Sequence, residues 1–304
     1  MKKIATYIII SLAMLALASF GLLGGDNEAL KNIPTEASSG ATNKVTTTKL
    51  DELKLHIINI GQGDALLIQS ASENFLIDAG NKGQGDEVLA YLHEQNITKL
   101  DAVVSTHPDA DHIGGLAEVI REMDVTQVYA PRITHTTDAY KQFLLAVKEH
   151  SLKIKIAKNG VAIPTSTTGL SLDFISPTKD YSKSDLNDWS AVLLVTHGAK
   201  KFLLTGDAEI PAEKDMMTAH NLQPVDVLKV SHHGAAEATT MAFLGVIQPK
   251  LAAISVGEDN RYKHPTKDVL QRLDKIGAKT YRTDQHGSIV FISNGKNIIT
   301  KVER

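Results

Sequence analysis

The densest run of chemically capable side chains is His107-Pro108-Asp109-Ala110-Asp111-His112, which sets four metal-competent groups in six positions. Imidazole and carboxylate together suit zinc or manganese and leave coordination positions open for water. Gly114 and Gly115 follow, and small residues there let backbone approach a crowded centre. Read alone, Asp111 could equally cap the next helix, and Asp109 could bond the turn backbone. A further acid, Asp207, stands in Thr205-Gly206-Asp207-Ala208-Glu209, where an oxygen could bridge two cations or simply shape a turn. Ser231-His232-His233-Gly234 then brings adjacent imidazoles. At a strand end these would point to opposite faces, one ligating and one facing substrate, and the sequence does not say which. No cysteine occurs, so disulfides, thiolate zinc sites and a cysteine nucleophile are excluded together. Any metal site must draw on the twelve histidines and the carboxylates.

What must position these groups is legible in the apolar pattern. Strand-like runs cover residues 53–60, 65–69, 74–77, 100–106, 170–175, 191–196, 201–205, 225–231, 251–256 and 288–292. Helix-period segments cover 86–95, 114–123, 138–150, 210–220, 239–247 and 266–276. Early strands are neighbours while later ones alternate with helices, which predicts two sheets with helices outside. Three runs stop at His107, Asp207 and the His232-His233 pair, and side chains beyond the carboxyl ends of strands are where a rigid layer can bring distant positions together. No repeat of solenoid period is present.

In that order, the motifs around His107, Asp207 and His232 resemble the metallo-β-lactamase superfamily and, more narrowly, the hydrolase domain of ComEC-type DNA-internalisation competence proteins. Asn59-Ile60-Gly61-Gln62-Gly63-Asp64-Ala65 and Ile77-Asp78-Ala79-Gly80 match that family's opening strands, and Tyr262-Lys263-His264-Pro265 and Tyr281-Arg282-Thr283-Asp284 match its end. The likeness covers residues 53–292. It implies an α/β fold, a four-layer αββα sandwich of two mixed sheets with a dinuclear centre between the sheet ends. Two divalent metal ions, zinc or manganese, would be held by His107, Asp109, Asp111, His112, Asp207 and one of His232 or His233. The implied reaction is hydrolysis by metal-bound hydroxide. Asp111, His233 and His264 are the side chains assigned to it, with His264, or whichever imidazole of the pair is left over, protonating a leaving oxygen. His264 reads equally as an ordinary loop residue before Pro265.

The chain departs from the superfamily pattern at three points. Asp109 stands where the second histidine is usual, as is common in the competence branch. No histidine occupies the ligand position expected between the first cluster and Asp207; His197 follows its strand rather than preceding it, and Asn187 and Ser190 match the competence branch instead. Ala235 replaces a serine frequent in that branch. Residues 61–64 read as a tight turn under the site, and His56, His93, His135, His150, His220 and His286 as surface or structural residues.

At the N-terminus Lys2 and Lys3 precede an apolar stretch continuing to Leu23, with Ala16-Leu17-Ala18 as a small-x-small cleavage pattern. Residues 1–24 therefore fit either a signal peptide or an uncleaved membrane anchor. Residues 25–50, poor in large apolar groups, read as a flexible tether, and 51–304 as the hydrolase domain. Both N-terminal readings imply an extracytoplasmic protein, secreted or anchored. The overall charge of −3 gives no global field for nucleic acid. Residues 225–304, however, carry 12 basic against 8 acidic side chains, and Lys229, Lys250, Arg261, Lys263, Lys267 and Arg282 could approach phosphates. The resemblance points to a phosphodiesterase or nuclease acting on DNA. An esterase, lactonase or phosphorylcholine-esterase of the same fold, or a non-catalytic binding or sensing domain, are the alternatives, and no obligate protein partner is implied.

Overall fold

The computed structural model describes residues 49–219 and 222–304. The leader expected over 1–24, nearly all of the tether expected over 25–50, and His220 lie outside the described residues. Among the described residues no helix is long and apolar enough to cross a membrane.

The first half of the chain contains β1 (Leu53–Ile57), β2 (Leu66–Gln69), β3 (Asn74–Ile77), α1 (Gly85–Glu94), β4 (Lys99–Leu100), β5 (Ala102–Val104), α2 (Ala110–Ile113), α3 (Leu116–Glu122), β6 (Asp124–Val125), β7 (Val128–Ala130), α4 (Asp138–Glu149) and β8 (Ile154–Ile156). The second half contains β9 (Leu170–Phe174), β10 (Leu193–His197), β11 (Lys200–Leu204), α5 (Ile210–Ala219), β12 (Val227–Lys229), α6 (Met241–Ile247), β13 (Leu251–Ile254), α7 (Lys267–Lys275), β14 (Lys279–Arg282), α8 (Thr283–His286), β15 (Ile289–Ser293) and β16 (Ile298–Val302). The two large sheets run β16-β15-β1-β2-β3-β5-β7-β8 and β14-β13-β12-β11-β10-β9, both mixing parallel and antiparallel pairs, and β4 and β6 form a separate parallel pair.

Period-two alternation explains the layering. Leu66, Ile68, Phe75, Ile77, Ala102 and Val104 face the second sheet and meet Leu172, Phe174, Leu193 and Phe202 in a shared core. The intervening Leu67, Leu76 and Val103 face outward onto Val88, Leu92 and Phe143 of α1 and α4. The second sheet repeats the pattern: Leu203, Leu228 and Ala252 face Met216, Phe243 and Leu273 of α5, α6 and α7. With both faces of each sheet covered, strands read as continuous apolar runs. Two helices begin at threonine caps, Thr137 accepting from Tyr140 N and Thr240 from Phe243 N. The result is the four-layer αββα sandwich.

Two of the boundaries that differ from the sequence reading bear on the site. The first strand stops at Ile57 rather than residue 60, since the chain must turn there to begin the 61–64 loop. The helix expected over 114–123 is α3, which starts only at Leu116, and Gly114-Gly115 separates it from the short α2 turn before it. A side chain at Gly115 would collide with the carbonyl of Ala79, so close packing against the β3 loop, and not helix propensity, sets the break.

Candidate metal centre

Parallel pairing delivers the site residues in register. Ile77 of β3 lies beside Val104 of β5, so the next residues along, Asp78 and Ser105-Thr106, are neighbours. Thr106 N donates to Asp78 Oδ1 at 2.8 Å and Thr106 Oγ1 to Asp78 Oδ2 at 2.6 Å. In the second sheet Leu204 lies beside Lys229. There Thr205 Oγ1 donates to the Lys229 carbonyl at 2.6 Å and His232 N to the Gly206 carbonyl at 3.2 Å. The sheets are tied to each other across the centre by Ala191 N, which donates to the Thr106 carbonyl at 2.9 Å, while within the second sheet the adjacent Ser190 Oγ accepts from Asp207 N at 3.0 Å. Gly63, at φ +132°, lets Asp64 N reach the Asp111 carbonyl at 3.1 Å, and a Cβ there would collide with that carbonyl.

These ties bring His107, Asp111, His112, Asp207, His232 and His233 together. His112 Nε2 lies 3.2 Å from Asp207 Oδ2, and His233 Nε2 lies 3.5 Å from the same oxygen and 3.3 Å from Asp111 Oδ2. The His107 and His112 rings are 4.2 Å apart, centroid to centroid. Ligand atoms of His107, His112 and Asp207 form one group within 4.8 Å of one another, and those of Asp111, His112 and His233 form a second.

Hydrogen bonding specifies the tautomers. His233 Nδ1 meets the Ser255 carbonyl at 2.8 Å; a carbonyl only accepts, so Nδ1 carries the proton. His112 Nδ1 meets Asp78 Oδ2 at 2.8 Å. The Thr106 hydroxyl hydrogen is committed to Asp78, so its oxygen accepts from His107 Nδ1 at 3.1 Å. In all three rings Nε2 is thereby left as the lone-pair nitrogen. All three Nε2 atoms are buried without a hydrogen-bond partner among the described residues, as is Asp207 Oδ1. Unpartnered buried lone pairs converging with carboxylates form a donor set that fits divalent cations. Asp78 is the carboxylate behind a ligating imidazole, which orients the ring and raises its basicity.

Burial pulls His112 toward its neutral form, but Asp207 and Asp78 beside it win and raise its pKa well above the ordinary histidine value. Burial likewise penalises the Asp207 and Asp111 carboxylates, yet the surrounding imidazoles hold both below the usual carboxylate range. The negative field that favours a proton on His112 is the field that would attract a cation, so proton and metal compete here.

Other expectations are corrected. His232 and His233 are not on a strand: β12 ends at Lys229, and the pair occupies a tight turn with both residues left-handed, at φ 48° and 52°. Such conformations cost on the order of 1–3 kcal/mol each, and here they turn both rings toward Asp207 instead of to opposite faces. His233 is buried. His232 is partly open, with Nδ1 3.0 Å from Glu209 Oε1 and Nε2 3.7 Å from Asp207 Oδ2. Its pKa is raised: burial opposes this, but the bond to Glu209 and the charge of Asp207 prevail. Asp109 occupies the N-cap position of α2 without capping it, and approaches His107 Nε2 at 3.5 Å. His264 stands behind His232, rings 5.6 Å apart, and burial with the charges of His232 and His233 lowers its pKa.

Lys229 does not face phosphate. It is completely buried, ion-paired with Asp64 and donating to the Gly206 carbonyl at 3.2 Å. Lys250 precedes β13, at the end of the sheet away from the site. His197 is also at the far end, paired with Ser293 Oγ at 2.9 Å, because its antiparallel strand begins, not ends, beside Leu204. Asn187, from the segment where a further ligand was expected, instead donates to Glu209 Oε1 at 2.7 Å. Asp64, read as part of a turn, is buried and carries a charge partner. Sequence reasoning gave no role to Asp78 or Glu209. The signal for Asp78 was present, since it ends a strand as Asp207 does.

Comparison with known proteins agrees with this geometry. The family model described as "Metallo-beta-lactamase superfamily" matches residues 58–258. The chain belongs to the metallo-β-lactamase superfamily, and it is a metal-dependent hydrolase by that membership. It is similar to ComE operon protein 3 of Bacillus subtilis, 32% identical across 79% of this chain and 33% of that protein. It thus spans about a third of the length of that relative. A shorter stretch, 22% of this chain and 25% of the relative, is 35% identical to Exodeoxyribonuclease YycJ of Bacillus anthracis. Among solved structures, the metallo-β-lactamase fold protein YhfI of Bacillus subtilis aligns over 80% of this chain and 100% of its own with a TM-score of 0.53 at 14% identity, a likeness of fold alone.

Proposed function

We propose that this chain is a phosphodiesterase acting on DNA, working with two divalent cations, zinc or manganese, and exported or tethered to a membrane by residues 1–24. The observation that carries the reading is the convergence of three unpartnered imidazole Nε2 atoms on Asp207 next to Asp111, with Asp111 also lining a cavity whose rim holds Arg261. The similarity to a competence-operon protein and an exodeoxyribonuclease supports the choice of DNA. The lysine-flanked apolar stretch at the N-terminus supports export.

In this proposal His107, Asp109, Asp111, His112, Asp207 and His233 hold the cations. When bound, these supply an acidified water and neutralise charge growing on the phosphate oxygens. The chain's own groups do the rest. Asp78, Thr106 and the Ser255 carbonyl keep the three Nε2 lone pairs facing inward. His232, held by Glu209 and partly open to solvent, carries the proton for a leaving oxygen. It is preferred over His264 because its pKa is raised where that of His264 is lowered.

The test is incubation of the purified, metal-loaded protein with single- and double-stranded DNA and with bis(p-nitrophenyl) phosphate. Turnover abolished by a chelator is expected. Turnover of a lactone or carboxyl ester with neither phosphodiester touched would establish the esterase alternative. A chain that binds no metal and turns over nothing would be a binding or sensing domain.

A further inference from the structure

Beside the metal centre lies a cavity of about 460 Å³, lined by Gln62, Asn81, Asp111, Asn260, Arg261 and Tyr262. Of these only Asp111 belongs to the metal cluster. Tyr262 is 49% exposed, and it is the one exposed tyrosine, phenylalanine or tryptophan among the described residues. Large rings in this fold otherwise face a core, so a ring left open at the rim of the site needs a reason.

The ring is held in place. Asn260 Oδ1 accepts from His264 N at 3.0 Å, while its Nδ2 donates to the carbonyls of Gly257 at 3.0 Å and His264 at 2.6 Å, closing the loop on itself. The Arg261 guanidinium lies 4.8 Å over the Tyr262 ring. The His264 ring stacks against Tyr262, 5.8 Å away with the planes 24° apart, and itself meets His232 at 5.6 Å. A row of flat groups therefore leads from solvent to the imidazole beside Asp207. Across the cavity Gln62 is fixed through Oε1, which accepts from Gly257 N at 3.2 Å, and its Nε2 is buried without a partner among the described residues.

We infer that this cavity is a nucleobase subsite: the exposed Arg261 guanidinium moves off the Tyr262 ring onto a phosphate, an unpaired base of a single-stranded nucleic acid takes its place on that ring face, and Gln62 Nε2 offers a donor to the base edge. The inference rests on the phosphodiesterase reading and narrows its substrate. A π-face accepts every base, and an aromatic ring with a cation beside it is the combination that binds single strands without sequence preference. A base inside a duplex has both faces covered by its neighbours, so the subsite selects single strands or frayed ends.

The test uses the full chain and fluorescence anisotropy. The probes are a labelled single-stranded oligothymidylate, an abasic strand of the same length, and a blunt duplex. Tyr262→Ala and Tyr262→Leu are each expected to weaken oligothymidylate binding about tenfold, as loss of one stacked base does. Tyr262→Phe is expected to restore it, and the abasic strand, with no base to stack, should not distinguish the variants. Equal binding of oligothymidylate by all four proteins, equal loss for both single strands, or tighter binding of the blunt duplex would overturn the subsite, as would no binding by the wild type. Hydrolysis of bis(p-nitrophenyl) phosphate by the wild type, measured in parallel, separates the two claims. Tyrosine-dependent binding without hydrolysis upholds the subsite while removing the catalytic reading, and hydrolysis with tyrosine-independent binding does the reverse.

Discussion

Replacing Asp78 by asparagine should damage the metal centre without touching a ligand. The carboxylate is fully buried and accepts three hydrogen bonds, from Thr106 N, Thr106 Oγ1 and His112 Nδ1. An amide is isosteric but presents one N–H₂ group to this ring of donors. If that group faces His112, the ring must accept at Nδ1 and carry its proton on Nε2, which removes the lone pair. If it faces Thr106 N, two donors oppose each other. Losing such a partner behind a ligating histidine typically weakens metal binding by about 10–100-fold, or about 1.4–2.8 kcal/mol. The buried charge-assisted bonds also contribute to stability, at about 1.5–3 kcal/mol each. Chelator competition with zinc or manganese would measure the affinity, and circular dichroism the fold. A control, Asp101→Asn, removes a carboxylate from the opposite end of β5 and should leave metal affinity alone. An Asp78→Asn protein that folds and binds metal as tightly as the wild type would refute the tautomer argument.

Four other outcomes are expected. Lys229→Met leaves Asp64 buried and uncompensated, so urea denaturation should register a loss of about 3–5 kcal/mol, much of it recovered by also making Asp64→Leu. Burial, assisted by Lys54, depresses the His56 pKa from 6.5 to about 4. The unfolded chain then binds the extra proton, and stability should fall by up to about 3 kcal/mol as pH drops from about 6.5 to 4, a slope that His56→Leu should flatten. Although burial opposes it, bonding from Thr165, Ser166 and Thr167 lowers the Glu73 pKa to about 2; its mostly solvent-screened contribution, about 1 kcal/mol, is present above the unfolded carboxylate pKa, is lost as pH falls toward 2, and should be absent in Glu73→Gln melts. Gly63→Ala should lower metal affinity and melting temperature together, because the new Cβ meets the Asp111 carbonyl.

The sandwich was legible because both faces of each sheet are buried, which writes the strand centres as short apolar runs such as 102–104 and 202–204. Two edge strands were not legible, since β8 and β16 are half solvated and Ile154–Ile156 and Ile298–Val302 show no continuous apolar signal; the buried β7 was missed as well, because three residues are too short a run to carry a period. The ligand types were readable from spacing, but their support was not. Asp78 acts only because β3 and β5 pair in parallel, and Glu209 only because the His232 turn folds back over it, both consequences of tertiary register. Lys229 misled for the same reason. Its charge suggested the surface, whereas its partner Asp64, far away in sequence, allows it to be interior. The left-handed His232-His233 turn violates local preference, and such violations gather where function requires them.

The central claim is that His107, Asp207 and His233, from three separate chain segments, share one cation-binding centre. The direct measurement is the metal content of the purified full chain by elemental analysis, wild type against Asp207→Ala and His233→Ala, each verified as folded. Divalent metal bound by the wild type and lost from both variants is the predicted result; folded variants that retain the wild type's full metal content would contradict it.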